Sequence, residues 1–488
     1  MHPLRLFFTA TTATALVLSS GCAVNPVTGK RELVLVSEGQ EVAMGAQSDP
    51  AVVAQFGLYP DKSVQAFIDR KGQEMVKVSH RSDLKFTFRV VDSPVINAFA
   101  LPGGYVYFTR GILANFNNEA QFAGVLGHEI GHVTARHSVQ QQTKSILGQV
   151  GLMGAMILSP RVAQFGQQAM QGMQLLFLKF GRDAERQADE LGVEYSSAIG
   201  YDANQMADFF QTLSRERDLA GGEAIPDFLS THPNPDDRYA TVHQLAAQWQ
   251  QNHTSPKLQV NRDQYLKLID GITYGEDPRQ GFVENSTFYH PDLKFRMPVP
   301  TGWKHQNSPQ QFQMGEPNGK ALLVLLPAPG STPQEAAQAI AKQMSLQPTD
   351  SRQTTINGFP ALVFTADQVQ QDPQTGQAVA GVRVLGHVIQ DGKNMYALLG
   401  VAAPEDFAAF APQFGGVAQG FQRLTEADKL NRQPEHVRIK KLRYRSNLSK
   451  ALTDNGVPQK RLEEMAILNG MQLNEQVDAG SLIKVVGK

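Results

Sequence analysis

In the run Leu126-Gly127-His128-Glu129-Ile130-Gly131-His132, two histidines and a glutamate have the types and spacing for metal-assisted hydrolysis. On a helix, at about 100° per residue, His128 and His132 fall about 40° apart and one turn from each other, so both imidazoles can reach a single ion. His-Glu-x-x-His on a helix is a zinc-hydrolase signature. Glu129 lies on the flank of that face. A carboxylate there is placed to act as general base toward a water whose pKa the metal has lowered to about 7.

The element that must carry these residues reads as a helix with a defined start. Asn118 stands at the cap position with Gln121 three residues on, and Phe122, Leu126, Ile130 and Val133 make an apolar stripe roughly opposite the histidines. Gly124, Gly127 and Gly131 fall on a third side. Each glycine costs about 1 kcal/mol against alanine inside a helix, so three of them predict a close approach by another element, one that brings the third metal ligand. The best source is the second helical stretch from Gly181 to Gly192, where Glu185 and Asp189 are again one turn apart. Two histidines and one glutamate leave a fourth position open for water, and metal-bound histidines usually donate their other N–H to a carboxylate. Glu185 is therefore the expected ligand and Asp189 its supporting carboxylate. His137 lies about 140° around the helix from His132 and is read as a non-ligand.

His-Glu-Ile-Gly-His together with Arg182-Asp-Ala-Glu-Arg-Gln-Ala-Asp-Glu-Leu-Gly192 resembles the M48 family of zinc metallopeptidases. The resemblance implies that His128, His132 and Glu185 bind one Zn2+ per chain, that Glu129 is the catalytic base and that Asp189 supports the ligands. It also implies a zincin-type α+β domain with a strand before the active-site helix, matched by Asn97 to Thr109, whose alternation and aromatic content read as β independently. Such an edge would accept unfolded or flexible polypeptide as an added strand. Ser230-Thr231-His232-Pro233 resembles a His-Pro segment that follows the zinc helices in the family. His232 would stabilise an oxyanion, or occupy the open zinc position and hold the enzyme latent, or only pack in its loop. Arg238 and Tyr195 are further oxyanion candidates.

The beginning of the chain reads as a secretory signal. A basic start at Arg5 precedes an apolar run from Leu6 to Leu18, about thirteen residues against the roughly 20 needed to span a bilayer. Ser19-Ser20-Gly21-Cys22 resembles a bacterial lipobox, although Ser19 stands where that pattern prefers leucine; the alternative is an ordinary signal cut nearby. Lipidation of Cys22 would make residues 1–21 a signal peptide and 22–36 a lipidated segment. Ala23 after the cysteine fits sorting to the outer membrane, so the expected place is the bacterial envelope, on the periplasmic face of the outer membrane. Cys22 is the only cysteine, which removes disulfides from the account. With 45 basic and 46 acidic residues and 41% hydrophobic residues, the composition is that of a soluble globular protein without a nucleic-acid footprint.

At 488 residues the chain exceeds the roughly 250 to 300 at which single cores stop growing, so several domains are expected. The fold class read here is a mainly helical α+β peptidase domain at 37–255, a linker at 256–284, an α+β antiparallel-sheet domain at 285–425 and a small β-α-α-β module at 436–488. The Pro-x-Gly-Trp303 opening of the second domain looks like PsbP or Mog1-type domains. The last module, with Leu442 to Arg445 as its first strand, resembles LysM, whose members bind peptidoglycan. Ile146 to Leu158, rich in methionine and glycine, is a lid, a lipid- or client-facing helix, or a buried core helix. The functional expectation is a zinc metalloendopeptidase for misassembled envelope proteins. The alternatives are a chaperone or assembly factor with a latent peptidase site, and a peptidoglycan-binding lipoprotein.

Overall fold

The computed structural model describes residues 22–143, 180–219, 235–253, 257–371 and 378–488, together with Gly221, Phe228 and His232. The signal at 1–21 and the segment Ile146 to Leu158 lie outside the described residues.

Two short strands, β1 (Cys22–Val24) and β2 (Arg31–Leu33), pair antiparallel with Cys22 opposite Leu33. Helix α1 (Glu38–Phe56) begins in a reciprocal cap, Ser37 accepting from the Gln40 amide while the Gln40 side chain accepts from the Ser37 amide. Asp61 caps α2 (Lys62–Val76). A three-stranded sheet follows, built of β3 (Thr87–Val91), β4 (Ala98–Leu101) and β5 (Tyr105–Thr109) in the order β3-β5-β4, with β3 parallel and β4 antiparallel to β5. The stretch expected as one strand is thus a hairpin. Gly103 and Gly104 take positive φ at its turn, and a Cβ on either would meet backbone of α1 or of Lys85 below 3 Å, so only glycine fits the reversal.

Thr109 caps α3 (Arg110–Asn115) and Asn118 caps α4 (Glu119–Thr134), the helix of the histidines. The predicted stripe of Phe122, Leu126, Ile130 and Val133 enters the main core, but α4 is buried on every side rather than amphipathic. It packs against α5 (Arg182–Ala198) and α6 (Asn204–Leu219), and α7 (Pro235–Asn252) covers α5 and α6.

Within the stretch 256–284, expected to be a linker, residues 262–274 are folded into this core. Its helix α8 (Arg262–Leu268) buries Tyr265 and Leu266, and β6 (Thr273–Tyr274) pairs with the strand Glu435–Lys441 of the C-terminal module. Tyr265 and Leu266 on this short helix and Ile269 and Ile272 just after it are buried together, a pattern too short to stand out among the charged residues and glycines around it.

Residues 282–423 form a seven-stranded antiparallel sheet and a smaller four-stranded one. The helix Phe407–Gln419 packs Phe414 and Val417 into one core, and Pro333–Gln343 packs Ala336 and Ile340 into another. In the C-terminal module, Glu435–Lys441 pairs with Leu482–Gly487 around the helices Leu448–Asp454 and Leu462–Leu468. The first strand therefore precedes the predicted Leu442 to Arg445, because alternating Arg438 and Lys440 diluted the apolar signal of Val437 and Ile439.

Candidate active site

Local packing brings α5 onto the histidine face. A Cβ on Gly127 would sit 2.9 Å from the Gly192 carbonyl oxygen and 3.0 Å from its Cα, and one on Gly131 would sit 3.0 Å from the Leu191 Cβ. The glycines of α4 let the two helix backbones touch, as their spacing predicted; Gly124 instead receives Met206 of α6. At this separation Glu185 and Asp189, one turn apart on α5, both reach the imidazoles.

The four side chains His128, His132, Glu185 and His232 are buried, with one ligating atom from each lying within 4.8 Å of all the others. The Nε2 atoms of His128 and His132 are 3.0 Å apart. Glu185 Oε1 is 3.5 Å from His132 Nε2, and Oε2 is 3.7 Å from His128 Nε2. His232 Nδ1 lies 3.0 Å from Glu185 Oε1 and 3.2 Å from His128 Nε2, on a segment where its amide donates to the Phe228 carbonyl one turn earlier. Its ring stacks on Phe228, while Phe180 stacks on His132 at 4.2 Å between centroids.

The far nitrogens fix the tautomers. His128 Nδ1 is 3.0 Å from Asp189 Oδ1, so it carries the proton and leaves Nε2 as a lone pair. Asp189 is itself held by Arg238, whose Nε and Nη2 donate at 2.8 and 2.6 Å and whose guanidinium lies over the Phe210 ring. Burial alone would raise the Asp189 pKa, but Arg238 and His128 outweigh it and bring it down to about 2. His132 Nδ1 is 2.9 Å from His137 Nδ1, and His137 Nε2 is 2.9 Å from Gln187 Oε1. With Gln187 accepting at Nε2, the neutral His137 ring accepts at Nδ1 from His132, whose Nε2 is again a free lone pair. Two imidazole lone pairs and a carboxylate thus converge on one point with no proton to share, a donor set that fits a divalent cation. Burial pushes His128 down to about 4, which keeps it in the ligating neutral form.

Glu129 is buried, and its Oε1 has no hydrogen-bond partner among the described residues; His232 Nε2 lies 3.7 Å from it. Burial raises Glu129 to about 7, against the pull of His232.

His137 is not among the clustered ligating groups, yet its position beside His132 was missed. The helical angle ceased to apply because α4 ends at Thr134 and Arg136 takes a left-handed conformation with φ 58°, which turns His137 back. The expectation for Tyr195 is corrected. Its hydroxyl is engaged with His80 Nδ1 at 2.6 Å and Thr134 Oγ1 at 3.2 Å. Arg238 is committed to Asp189, with Nη1 3.4 Å from Glu185 Oε2. Cys22 stands far from this group in the sequence, in β1.

Residues 62–246 match Peptidase family M48. A beta-barrel assembly-enhancing protease of Yersinia pestis is 30% identical over 228 residues, 45% of this chain and 46% of its own length. The protein of the same name from Escherichia coli K12 is 29% identical over 221 residues, 44% of this chain and 45% of its own. The mitochondrial metalloendopeptidase OMA1 of Schizosaccharomyces pombe is 31% identical over 229 residues, 44% of this chain and 64% of its own. The chain spans about half the length of the first of these relatives. Among solved structures, cyanobacterial PsbP from Synechocystis is 12% identical with a TM-score of 0.24, covering 29% of this chain and 96% of that one, a likeness too loose to bear on function.

Proposed function

We propose, from the match of residues 62–246 to Peptidase family M48, that the protein is a zinc metalloendopeptidase of the bacterial envelope, with His128, His132 and Glu185 as ligands and Glu129 as base. The observation that carries this is the convergence of ligating atoms within 4.8 Å beside the unpartnered Glu129 Oε1. When bound, a zinc ion would supply Lewis-acid polarisation of the scissile carbonyl and lower the pKa of water to about 7. Glu129, raised to about 7, is matched to take the water's proton near neutral pH and to return it to the leaving amine. Asp189 and Arg238 hold His128 in its ligating tautomer, and His137 with Gln187 does the same for His132. An extended peptide would add to β4, an outer strand of its sheet.

Its substrates are unfolded or misassembled envelope polypeptides, a class supported by the β-barrel assembly named in the relatives. Lipidation at Cys22 would hold it on the periplasmic face of the outer membrane. A LysM-type role for residues 436–488 is tested by retention on purified peptidoglycan.

A second reading, an assembly factor whose peptidase is latent, is favoured by His232. Its Nδ1 lies among the other three candidate ligating atoms, 3.0 Å from Glu185 Oε1 and 3.2 Å from His128 Nε2, and the Phe228 amide one turn earlier donates to the Ile96 carbonyl at 3.1 Å, two residues before β4. In the proposal His232 is the fourth ligand and keeps substrate out.

The test is metal content and casein hydrolysis of the form lacking residues 1–22, with Glu129→Gln and His232→Ala alongside. We expect one zinc in each, cleavage abolished in Glu129→Gln and raised about tenfold or more in His232→Ala. Absence of bound metal from the unaltered protein would refute the peptidase reading; cleavage unchanged in His232→Ala would refute latency.

A further inference from the structure

The C-terminal module lies outside the residues that match the peptidase family, yet it supplies a side chain to that domain's interior. Five successive main-chain carbonyls, Leu113 to Asn117, form the corner between α3 and α4. Each accepts a hydrogen bond from a side chain more than a hundred residues away. Leu113 accepts from the Tyr265 hydroxyl at 2.7 Å. Ala114, Asn115 and Phe116 accept from Lys484 Nζ at 2.9, 3.4 and 3.0 Å, and Asn117 accepts from Arg262 Nη1 at 3.2 Å.

The last carbonyls of a helix have no partner within it, and a cation there complements the partial negative charge they carry. Lys484 fills that role at the end of α3 while fully buried. Burial and the Arg262 guanidinium push its pKa well below the ordinary lysine value, opposed by Glu216 and by the three carbonyl acceptors, which take all three N–H of the ammonium form. Lys484 is itself fixed at the backbone, where Asn469 accepts from its amide at 2.8 Å and donates to its carbonyl at 2.9 Å. Arg262 bridges the same parts, donating also to the Leu482 carbonyl at 3.4 Å. The corner runs directly into the active-site helix. The Asn117 amide donates to the Gln121 side chain at 2.7 Å, and the Asn118 side chain accepts from the Gln121 amide at 2.8 Å.

We propose that Lys484 is a positioning residue of the peptidase site: by holding the α3–α4 corner it fixes α4, with His128, Glu129 and His132, relative to the β4–β5 edge. The C-terminal module then acts as a structural part of the peptidase rather than as an appended binding unit. This rests on the peptidase reading above.

The experiment uses the chain lacking residues 1–22 with Lys484→Met, which keeps the length and removes the donors. Leu452→Ala, a cavity in the module's own core, is the control for lost stability. We expect Lys484→Met to keep its zinc, to lose about tenfold in kcat with KM within about twofold, and to exchange the amides of Gln121 to Ala123 about tenfold faster. The amides of Ala188 to Val193 on α5 should be unchanged. Leu452→Ala should lower Tm but leave kcat and those amides as they are. Equal kcat and equal exchange in the two variants would overturn the proposal. If neither the unaltered protein nor His232→Ala cleaves, the peptidase reading fails, and the exchange comparison alone decides whether Lys484 holds α4. If Lys484→Met yields no folded protein, Arg262→Gln, which releases the Asn117 carbonyl, carries the test: a decline in kcat of about threefold with faster exchange at the same amides supports it, and unchanged values overturn it.

Discussion

Each of the two clustered imidazoles on α4 has its far nitrogen engaged, His128 by Asp189 and His132 by His137, and the two arrangements predict different failures. Asp189→Asn leaves the Arg238 guanidinium buried beside a neutral amide. Metal affinity should fall roughly 10- to 100-fold and stability by about 3 to 5 kcal/mol, read by chelator competition and urea unfolding. Gln187→Leu removes the acceptor that sets the His137 tautomer without exposing a charge. It should weaken metal binding about tenfold while moving the unfolding midpoint little; an unchanged metal affinity would show that His137 only packs. His128, Glu129 and His132 were legible because one helical turn fixes their mutual position. Glu185 and Asp189 were legible by the same rule on a second helix. His137 was not, because the left-handed Arg136 that redirects it carries no mark in the sequence.

At the level of elements, the site depends on how closely α4 and α5 approach. Gly127→Ala would push a methyl against backbone atoms of Gly192 at 2.9 and 3.0 Å, with no flexible side chain to yield. We expect a loss of about 1 to 3 kcal/mol, together with weaker metal binding because Glu185 moves with α5. Gly181→Ala, where no described residue lies within 4 Å, should change neither quantity measurably. Thermal unfolding and metal titration of the pair check this, and equal behaviour of the two variants would show that helix contact does not set the site. The glycine spacing made this contact predictable. The β4–β5 hairpin and the folding of α8 were not, since a continuous β-prone run does not reveal where two glycines reverse it, and α8 is apolar over less than three turns.

For the whole molecule, the two tryptophans fall in different domains, Trp249 on α7 and Trp303 in the second core, so each domain reports its own unfolding. In the second domain, burial holds His290 down at about 4, and burial with the nearby Arg352 charge does the same for His387, against ordinary values near 6.5. Between pH 6.5 and 4 the unfolded chain takes up these protons and the native chain does not. The stability from keeping both rings neutral is therefore complete above about pH 6.5 and falls as pH drops toward 4, by about 2 kcal/mol for each at pH 5. Urea midpoints followed by Trp303 in a Trp249→Phe background, at pH 7 and pH 5, should show this decline, and His387→Leu should remove about half of it. By itself the sequence singled out the candidate ligand and base residues and the separation into several units, because those follow from helical periodicity and composition, which are local. Only the tertiary structure decided that His232 enters the ligand cluster, that His137 backs His132, and that Lys484 holds the corner before α4. Each of these joins residues through burial of polar groups that must find partners wherever the fold brings them, and no local period encodes that search.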